Sequence, residues 1–172
     1  SKFPIRQIIS TNGLLIDRHF ASLKELDSIC IGFDGNEVEN DLNRGKGSFK
    51  RIIEGIKIAK ELNIPVHTVC VITKNNINCV EYIINLAKEM GFSVEFNFPC
   101  GLLSEISSDY YIEKKENYQS AILKIIEYKK NSHPILFSEK SYEFVLEWLK
   151  RFDRPIFFDF VPKNLNYVPC YS

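Results

Sequence analysis

The segment Ser28–Phe49 reads SICIGFDGNEVENDLNRGKGSF, and it contains the transition on which the fold depends. Its first six residues are mostly apolar, which predicts a buried strand over Ser28–Phe33. Asp34-Gly35 ends that strand, and a polar connection follows until Gly45-Lys46-Gly47-Ser48 precedes an apolar pattern with helical spacing. A strand and a helix joined by so many Asp, Asn and Arg residues indicate a loop that does more than connect them.

Outward from this segment, predicted strands and helices alternate along the chain. The helix after the segment takes Ser48 as its N-cap, and the next takes Asn78 as N-cap with Glu81 completing a capping box. Strands are predicted over 5–10, 28–33, 65–72, 92–98, 134–138 and 155–161, and helices over 19–26, 48–62, 78–91, 117–130 and 141–152.

This alternation predicts an α/β fold, in which a parallel sheet carries helices on the outside and residues 1–172 form a single domain. The strands are rich in Ile, Val and Phe, as expected where both faces of a sheet are covered. The polar residues Thr11, Asp34, Thr73 and Asn97 each follow or end a strand, so we expect them at one common end of the sheet.

Charge and cysteine content exclude several classes of protein. The 22 basic and 22 acidic residues balance to a formal net charge of +0, so neither nucleic acid nor a membrane surface is an expected partner. No apolar run approaches the roughly 18 residues of a membrane span. The five cysteines are widely spaced and odd in number, which is typical of a reduced protein; a cytoplasmic location is therefore predicted. Cys30 and Cys70 are expected in the core.

The strand ends carry hydroxyls, amides and few charges, which suits a polyhydroxyl or zwitterionic ligand such as a ribose or an amino-acid moiety. Gly45–Ser48 matches neither a P-loop nor a dinucleotide-binding fingerprint. Arg44 could bind a ligand carboxylate, or it could form a surface ion pair with Glu37 or Glu39.

Three stretches together resemble the radical S-adenosylmethionine (SAM) enzymes with a SPASM or twitch extension: ISTNGLLI, the segment from Leu26 to Asn76, and EYIINLAKEMGFSVEFNFPCG. That family has Thr-Asn-Gly at the end of its third barrel strand, an Ile-Ser-Leu-Asp-Gly-like fourth strand, and Arg-Gly-x-Gly-Ser/Thr-Phe before the next helix. The resemblance implies the C-terminal part of a (βα)6 partial TIM barrel, with the start of a truncated C-terminal extension at about 162–172. The family's Cys-x3-Cys-x2-Cys motif and Gly-Gly-Glu-Pro-like motif are missing from the sequence.

The resemblance also implies an activity for the full-length protein. Such enzymes use a [4Fe-4S] cluster to cleave SAM into methionine and a 5′-deoxyadenosyl radical, which abstracts hydrogen from a peptide or small-molecule substrate. By this resemblance Arg44 lies near the methionine carboxylate, Gly32 stands where the family often has a ribose-binding Ser, and Cys170 could ligate an auxiliary cluster. The residues implied to bind the cofactor are Ser10, Thr11, Asn12, Asp34, Arg44, Thr73 and Asn76.

Two further interpretations stay open at this stage. Without the cysteine triad, we expect the chain alone to be inactive, with neither SAM nor a cluster bound. The first alternative is a non-catalytic α/β binding or interaction module, which could self-associate through an exposed sheet edge. The second is another βα-barrel enzyme that handles phosphate at Gly45–Ser48.

Overall fold

The computed structural model describes residues 5–98 and 115–151, and a four-stranded parallel sheet organises them. The strands follow one another across the sheet in chain order, β1-β2-β3-β4, and every neighbouring pair is parallel. The strands are β1 (Ile8–Thr11), β2 (Ser28–Gly32), β3 (Val66–Val71) and β4 (Ser93–Asn97).

Helices connect the strands and cover one face of the sheet. The longer ones, α3 to α6, follow the sequence periodicity, and all four were predicted at nearly these bounds. The helices are α1 (Ile16–Leu23), α2 (Glu37–Arg44), α3 (Ser48–Glu61), α4 (Val80–Met90), α5 (Lys115–Lys130) and α6 (Glu139–Arg151). In the part of the chain that the structure describes, no helix combines the length and apolarity that a membrane span requires.

The core lies between this sheet face and the helices. Ile29 and Ile31 of β2, Ile52 and Ile56 of α3, and Val94 of β4 are all fully buried there. Residues alternate along β2, β3 and β4 between buried and half-buried positions. The prediction that both sheet faces are covered is therefore wrong for the described residues: one face is packed, and the other is partly open.

The parallel register confirms that Thr11, Asp34, Thr73 and Asn97 lie at one common end. Thr11 and Asn97 are the last residues of β1 and β4, while the other two follow the ends of β2 and β3 by two residues. The predicted helix over 141–152 is also confirmed, since α6 runs to Arg151.

Three local predictions were wrong, each because a contact distant in sequence or an unexpected turn intervenes. Helix α3 begins after Gly47, so Ser48 is its first residue and not its cap. A 3-10 turn (Ile77–Cys79) precedes α4, so Asn78 does not cap that helix. Glu81 instead accepts hydrogen bonds from Lys124 and Tyr128 of α5.

The predicted fifth strand is reduced to a single bridge in which Ile135 pairs with Val94. Val94 N donates to Pro134 O at 2.8 Å, and Leu136 N donates to Val94 O at 2.9 Å. The predicted sixth strand, the extension at about 162–172 and Cys170 lie outside the described residues.

Candidate functional site

Helix α2, which the sequence did not predict, turns the connection after β2 into a folded unit. Asn36 caps it, since its Oδ1 accepts from Val38 N at 2.9 Å. The pattern of α2 is inverted relative to an ordinary amphipathic helix, because Asn40 is fully buried while Val38 and Leu42 are 73% and 68% exposed. A polar interior of this kind needs hydrogen-bond partners, and the flanking residues provide them.

The interior of this unit is a continuous hydrogen-bonded chain, hereafter the 34–49 network. Asn40 Oδ1 accepts from Asp34 N at 3.0 Å, and its Nδ2 donates to Ser48 Oγ at 2.8 Å. Ser48 Oγ donates to Asp41 Oδ1 at 3.1 Å. The same carboxylate accepts from Gly47 N at 2.5 Å and from Phe49 N at 2.9 Å. Asp41 therefore caps the start of α3 from outside that helix.

These contacts lower the pKa of the Asp41 carboxyl from its ordinary value of 3.8, first through Phe49 N–H and next through Gly47 N–H. A lowered folded-state pKa means that the carboxylate stabilises the fold above pH 3.8 and loses that effect as the pH falls through the lower value. We expect Asp41→Asn to lower the melting temperature at about pH 7, and the difference from wild type to shrink by about pH 2.5. Thermal unfolding followed by circular dichroism measures both. Glu54→Gln, at an exposed carboxylate on α3, is the control; equal effects of the two substitutions would contradict the capping role.

Arg44, at the end of α2, folds back over β2 and pairs with Asp34. Its Nε lies 2.8 Å from Asp34 Oδ2, and its Nη2 donates to Asp34 Oδ1 at 3.1 Å. The Asp34 side chain is 8% exposed and that of Arg44 is 25% exposed, so the pair is partly shielded from water. Neither Glu37 nor Glu39 is the partner; Glu37 pairs with Lys50.

The connection after β3 forms a second polar turn next to this one. Asn76 Oδ1 accepts from Thr73 N at 2.7 Å, and Asn76 Nδ2 donates to Val71 O at 2.9 Å. Thr73 and Asn76 are both buried, so their side chains fix the shape of the turn. Asn75 Nδ2 reaches Asn43 Oδ1 on α2 at 3.4 Å, which places the two connections side by side.

The end of β1 contributes more accessible polar groups. Ser10 and Asn12 are exposed, and Thr11 is half-buried. Thr11 Oγ1 accepts from Gly13 N, and Asn12 Oδ1 accepts from Leu14 N, both at 3.2 Å. The structure therefore brings the predicted residues to one end of the sheet, but in two forms: accessible groups on β1, and self-bonded turns after β2 and β3.

The partly open sheet face adds residues that the sequence interpretation had not assigned to the site. The strand register aligns Ser10, Cys30, His67 and Ser93 as neighbours across all four strands. His67 and Cys30, both expected in the core, are half-buried on this face. The two-residue alternation of β3 could have revealed them, because it places His67, Val69 and Val71 opposite the buried Val66, Thr68 and Cys70.

The described cysteines do not fit an iron–sulfur cluster. In the two described ranges, 5–98 and 115–151, no three His, Cys, Asp or Glu side chains are grouped to hold a metal. Burial raises the pKa of the Cys70 and Cys79 thiols, which disfavours the thiolate that a cluster needs. The geometry at the strand ends does fit an amino-acid carboxylate and a ribose, because it offers one guanidinium beside hydroxyl and amide groups.

Known proteins share this fold. The crystal structure of anSMEcpe with bound AdoMet superposes with a TM-score of 0.61 at 23% identity, covering 72% of this chain and 36% of that one. Streptococcus suis SuiB bound to S-adenosylmethionine gives a TM-score of 0.58 at 17% identity, covering 78% of this chain and 32% of SuiB. The partial-barrel α/β fold predicted from the sequence is thereby confirmed.

Sequence comparison identifies relatives over the same region. The chain is 38% identical over 89 residues to Fe-coproporphyrin III synthase of Methanosarcina barkeri (strain Fusaro / DSM 804), covering 49% of the chain and 22% of that enzyme. It is 32% identical over 116 residues to GTP 3′,8-cyclase of Petrotoga mobilis (strain DSM 10674 / SJ95), covering 63% and 36%. The chain thus spans only about a third or less of the length of these curated relatives. The profile of the Radical SAM superfamily matches residues 3–94, more than half of the sequence, and the chain therefore belongs to that superfamily.

Proposed function

We propose that this chain supplies part of the SAM-binding wall of a radical SAM enzyme. Superfamily membership implies cleavage of SAM with an iron–sulfur cluster, which would provide a 5′-deoxyadenosyl radical for hydrogen abstraction. One observation carries the assignment of the site: Arg44 presents its guanidinium at the carboxyl end of the parallel sheet, where α/β proteins bind ligands.

The residues suit different parts of SAM. Arg44 would bind the methionine carboxylate through a charge-assisted contact. Ser10, Thr11 and Asn12 offer hydroxyl and amide groups suited to the ribose. Asp34 would act through Arg44, and the buried Thr73 and Asn76 would shape the turn that borders the cofactor.

The remainder of the full-length protein would provide the cluster ligands. The described cysteines do not form a site for one, so we propose that the chain alone is inactive and depends on further sequence. Cys170 remains a proposed ligand of an auxiliary cluster. A cytoplasmic location likewise stays a proposal.

The substrate is proposed to be a peptide or a small molecule. A peptide is supported by the fold neighbour anSMEcpe, whose structure has been solved with a bound Kp18Cys peptide. The partly open sheet face, with Cys30, His67 and Ser93, is the surface of this chain that would face such a substrate.

A non-catalytic interaction module is the second candidate, and the edge strand favours it. Within the described residues β1 pairs with β2 alone, and Ile8 and Ile9 on it are 56% and 40% exposed. An apolar strand with a free edge is a surface on which another strand or chain can pair. Self-association through β1 is the form that this alternative would take.

Arg44→Ala in the cluster-reconstituted full-length protein tests the primary proposal. We expect SAM affinity to fall by about 1.5–3 kcal/mol, or roughly 10–100-fold, because a hydrogen-bonded charged contact is lost. Isothermal titration calorimetry measures the change, and a melting curve confirms that the variant is folded.

Arg51→Ala is the matched control, since Arg51 is an exposed arginine on α3 that lies outside the 34–49 network. It should leave SAM affinity within about twofold. An unchanged affinity in the folded Arg44 variant would remove Arg44 from the proposed site and favour the interaction module.

A further inference from the structure

Arg44 occupies a space on β2 that a side chain would normally fill. A Cβ built on Gly32 would lie 2.6 Å from both Cζ and Nη2 of Arg44, and Nη1 would be closer still. Gly32 belongs to the half-buried positions of β2, on the same sheet face as Cys30. The guanidinium therefore lies directly against the strand on the partly open face, in place of a side chain at residue 32.

Asp34 determines which edge of the guanidinium remains available. Its carboxylate engages Nε and Nη2, while Nη1 is the atom nearest to Gly32. A planar guanidinium has two edges that can each bind a carboxylate bidentately. With the Nε–Nη2 edge on Asp34, the Nη1–Nη2 edge can receive a second carboxylate without breaking the ion pair.

The 34–49 network holds Asp34 in position for this role. Asp34 N donates to the buried Asn40, which in turn is fixed by Ser48. Asp34 itself is 6% exposed, so it is too buried to serve as a freely accessible ligand group. Its position and its partner both indicate that it acts through Arg44.

We propose that Asp34 is a positioning residue, and Gly32 a residue that provides space, for an arginine that binds the carboxylate of an α-amino-acid ligand on its Nη1 side. The inference rests on the proposed function, in which that carboxylate belongs to the methionine part of SAM. It adds that Arg44 retains Asp34 while it binds. A side chain at residue 32 would displace the guanidinium from this position.

The first experiment needs no ligand and therefore tests the positioning separately from SAM binding. Arginine side chains of the full-length protein are labelled with 15N, and the Nε–Hε resonance of Arg44 is assigned by its loss in Arg44→Lys. We expect slow exchange with water in wild type, and exchange at least about tenfold faster in Asp34→Asn and in Gly32→Ser, because the ion pair is weakened or displaced. Glu37→Gln, which removes an exposed carboxylate from the same helix, should change nothing. Unchanged exchange in both test variants would overturn the proposal.

The second experiment is a double-mutant cycle on SAM binding to the cluster-reconstituted full-length protein. Asp34→Asn should weaken binding at least about threefold when Arg44 is present, and less than about 1.5-fold in the Arg44→Ala background. Equal weakening in both backgrounds would show that Asp34 acts on the ligand or the fold directly, and would overturn the positioning role. If Arg44→Ala alone leaves SAM affinity unchanged, the proposed function fails at this residue, and the exchange experiment still decides whether Asp34 and Gly32 position Arg44.

Discussion

Replacing Asn40 with alanine should destabilise the chain by about 2–5 kcal/mol, because two buried groups lose their partner at a cost of about 1–3 kcal/mol each. Asn40 is fully buried and connects Asp34 N to Ser48 Oγ, so its loss strands an N–H donor on one side and a hydroxyl on the other. A loss of this size is a large part of the roughly 5–15 kcal/mol that stabilises an ordinary domain. Urea unfolding, analysed for both the midpoint and the slope, measures the effect.

Asn43→Ala provides the matched control on the same helix. Asn43 is half-buried, and its side chain makes the 3.4 Å contact with Asn75. The control should cost no more than about 0.5 kcal/mol, in the range of ordinary surface substitutions. Equal stability of the two variants would mean that the 34–49 network does not stabilise the fold.

Gly13→Ala should cost about 2–4 kcal/mol, the sum of a backbone term and a packing term. Gly13 follows Thr11-Asn12 with φ of +77°, a left-handed conformation that costs a residue with a Cβ about 1–2 kcal/mol. The added Cβ would also lie 2.8 Å from Ile31 Cγ2 and 3.4 Å from Ile52 Cγ1, in a fully buried part of the core. Overpacking of such a site typically costs about 1–3 kcal/mol.

Gly47→Ala separates the two terms. Gly47 has a similar φ of +80°, but nothing lies within 4 Å of the position of its Cβ. Its substitution should therefore cost only the backbone term of about 1–2 kcal/mol. The difference between the two variants in urea unfolding gives the packing term, and a difference near zero would contradict the close approach of Gly13 to the core.

The order of strands and their common polar end could be predicted from the sequence because apolar runs and turn residues report them locally. Helix α2 could not, because its pattern is inverted: the buried residue is Asn40, and the apolar Val38 and Leu42 face water. Hydrophobic periodicity detects only helices that bury an apolar face. The stabilising contacts of α2 are polar and become visible only once the chain folds back on itself.

The same limit explains the misassigned partner of Arg44. The sequence offered a ligand or the nearby Glu37 and Glu39, whereas the turn of α2 brings Arg44 over β2 to Asp34. Glu81 shows the effect at longer range. Its capping-box spacing is correct, but Lys124 and Tyr128, 43 and 47 residues away, bind its carboxylate. Local motifs predict a partner only where no stronger one arrives from elsewhere in the fold.

The short sequence separations within the 34–49 network have a consequence for the order of folding. Its side-chain contacts join residues only 6 to 10 positions apart, from Asp34–Asn40 to Asp34–Arg44. Loops of about ten residues close in roughly 10–100 ns, far faster than strands separated by a crossover helix find one another. The turn that aims Arg44 is thus of low contact order, and it can form while the barrel around it is still incomplete.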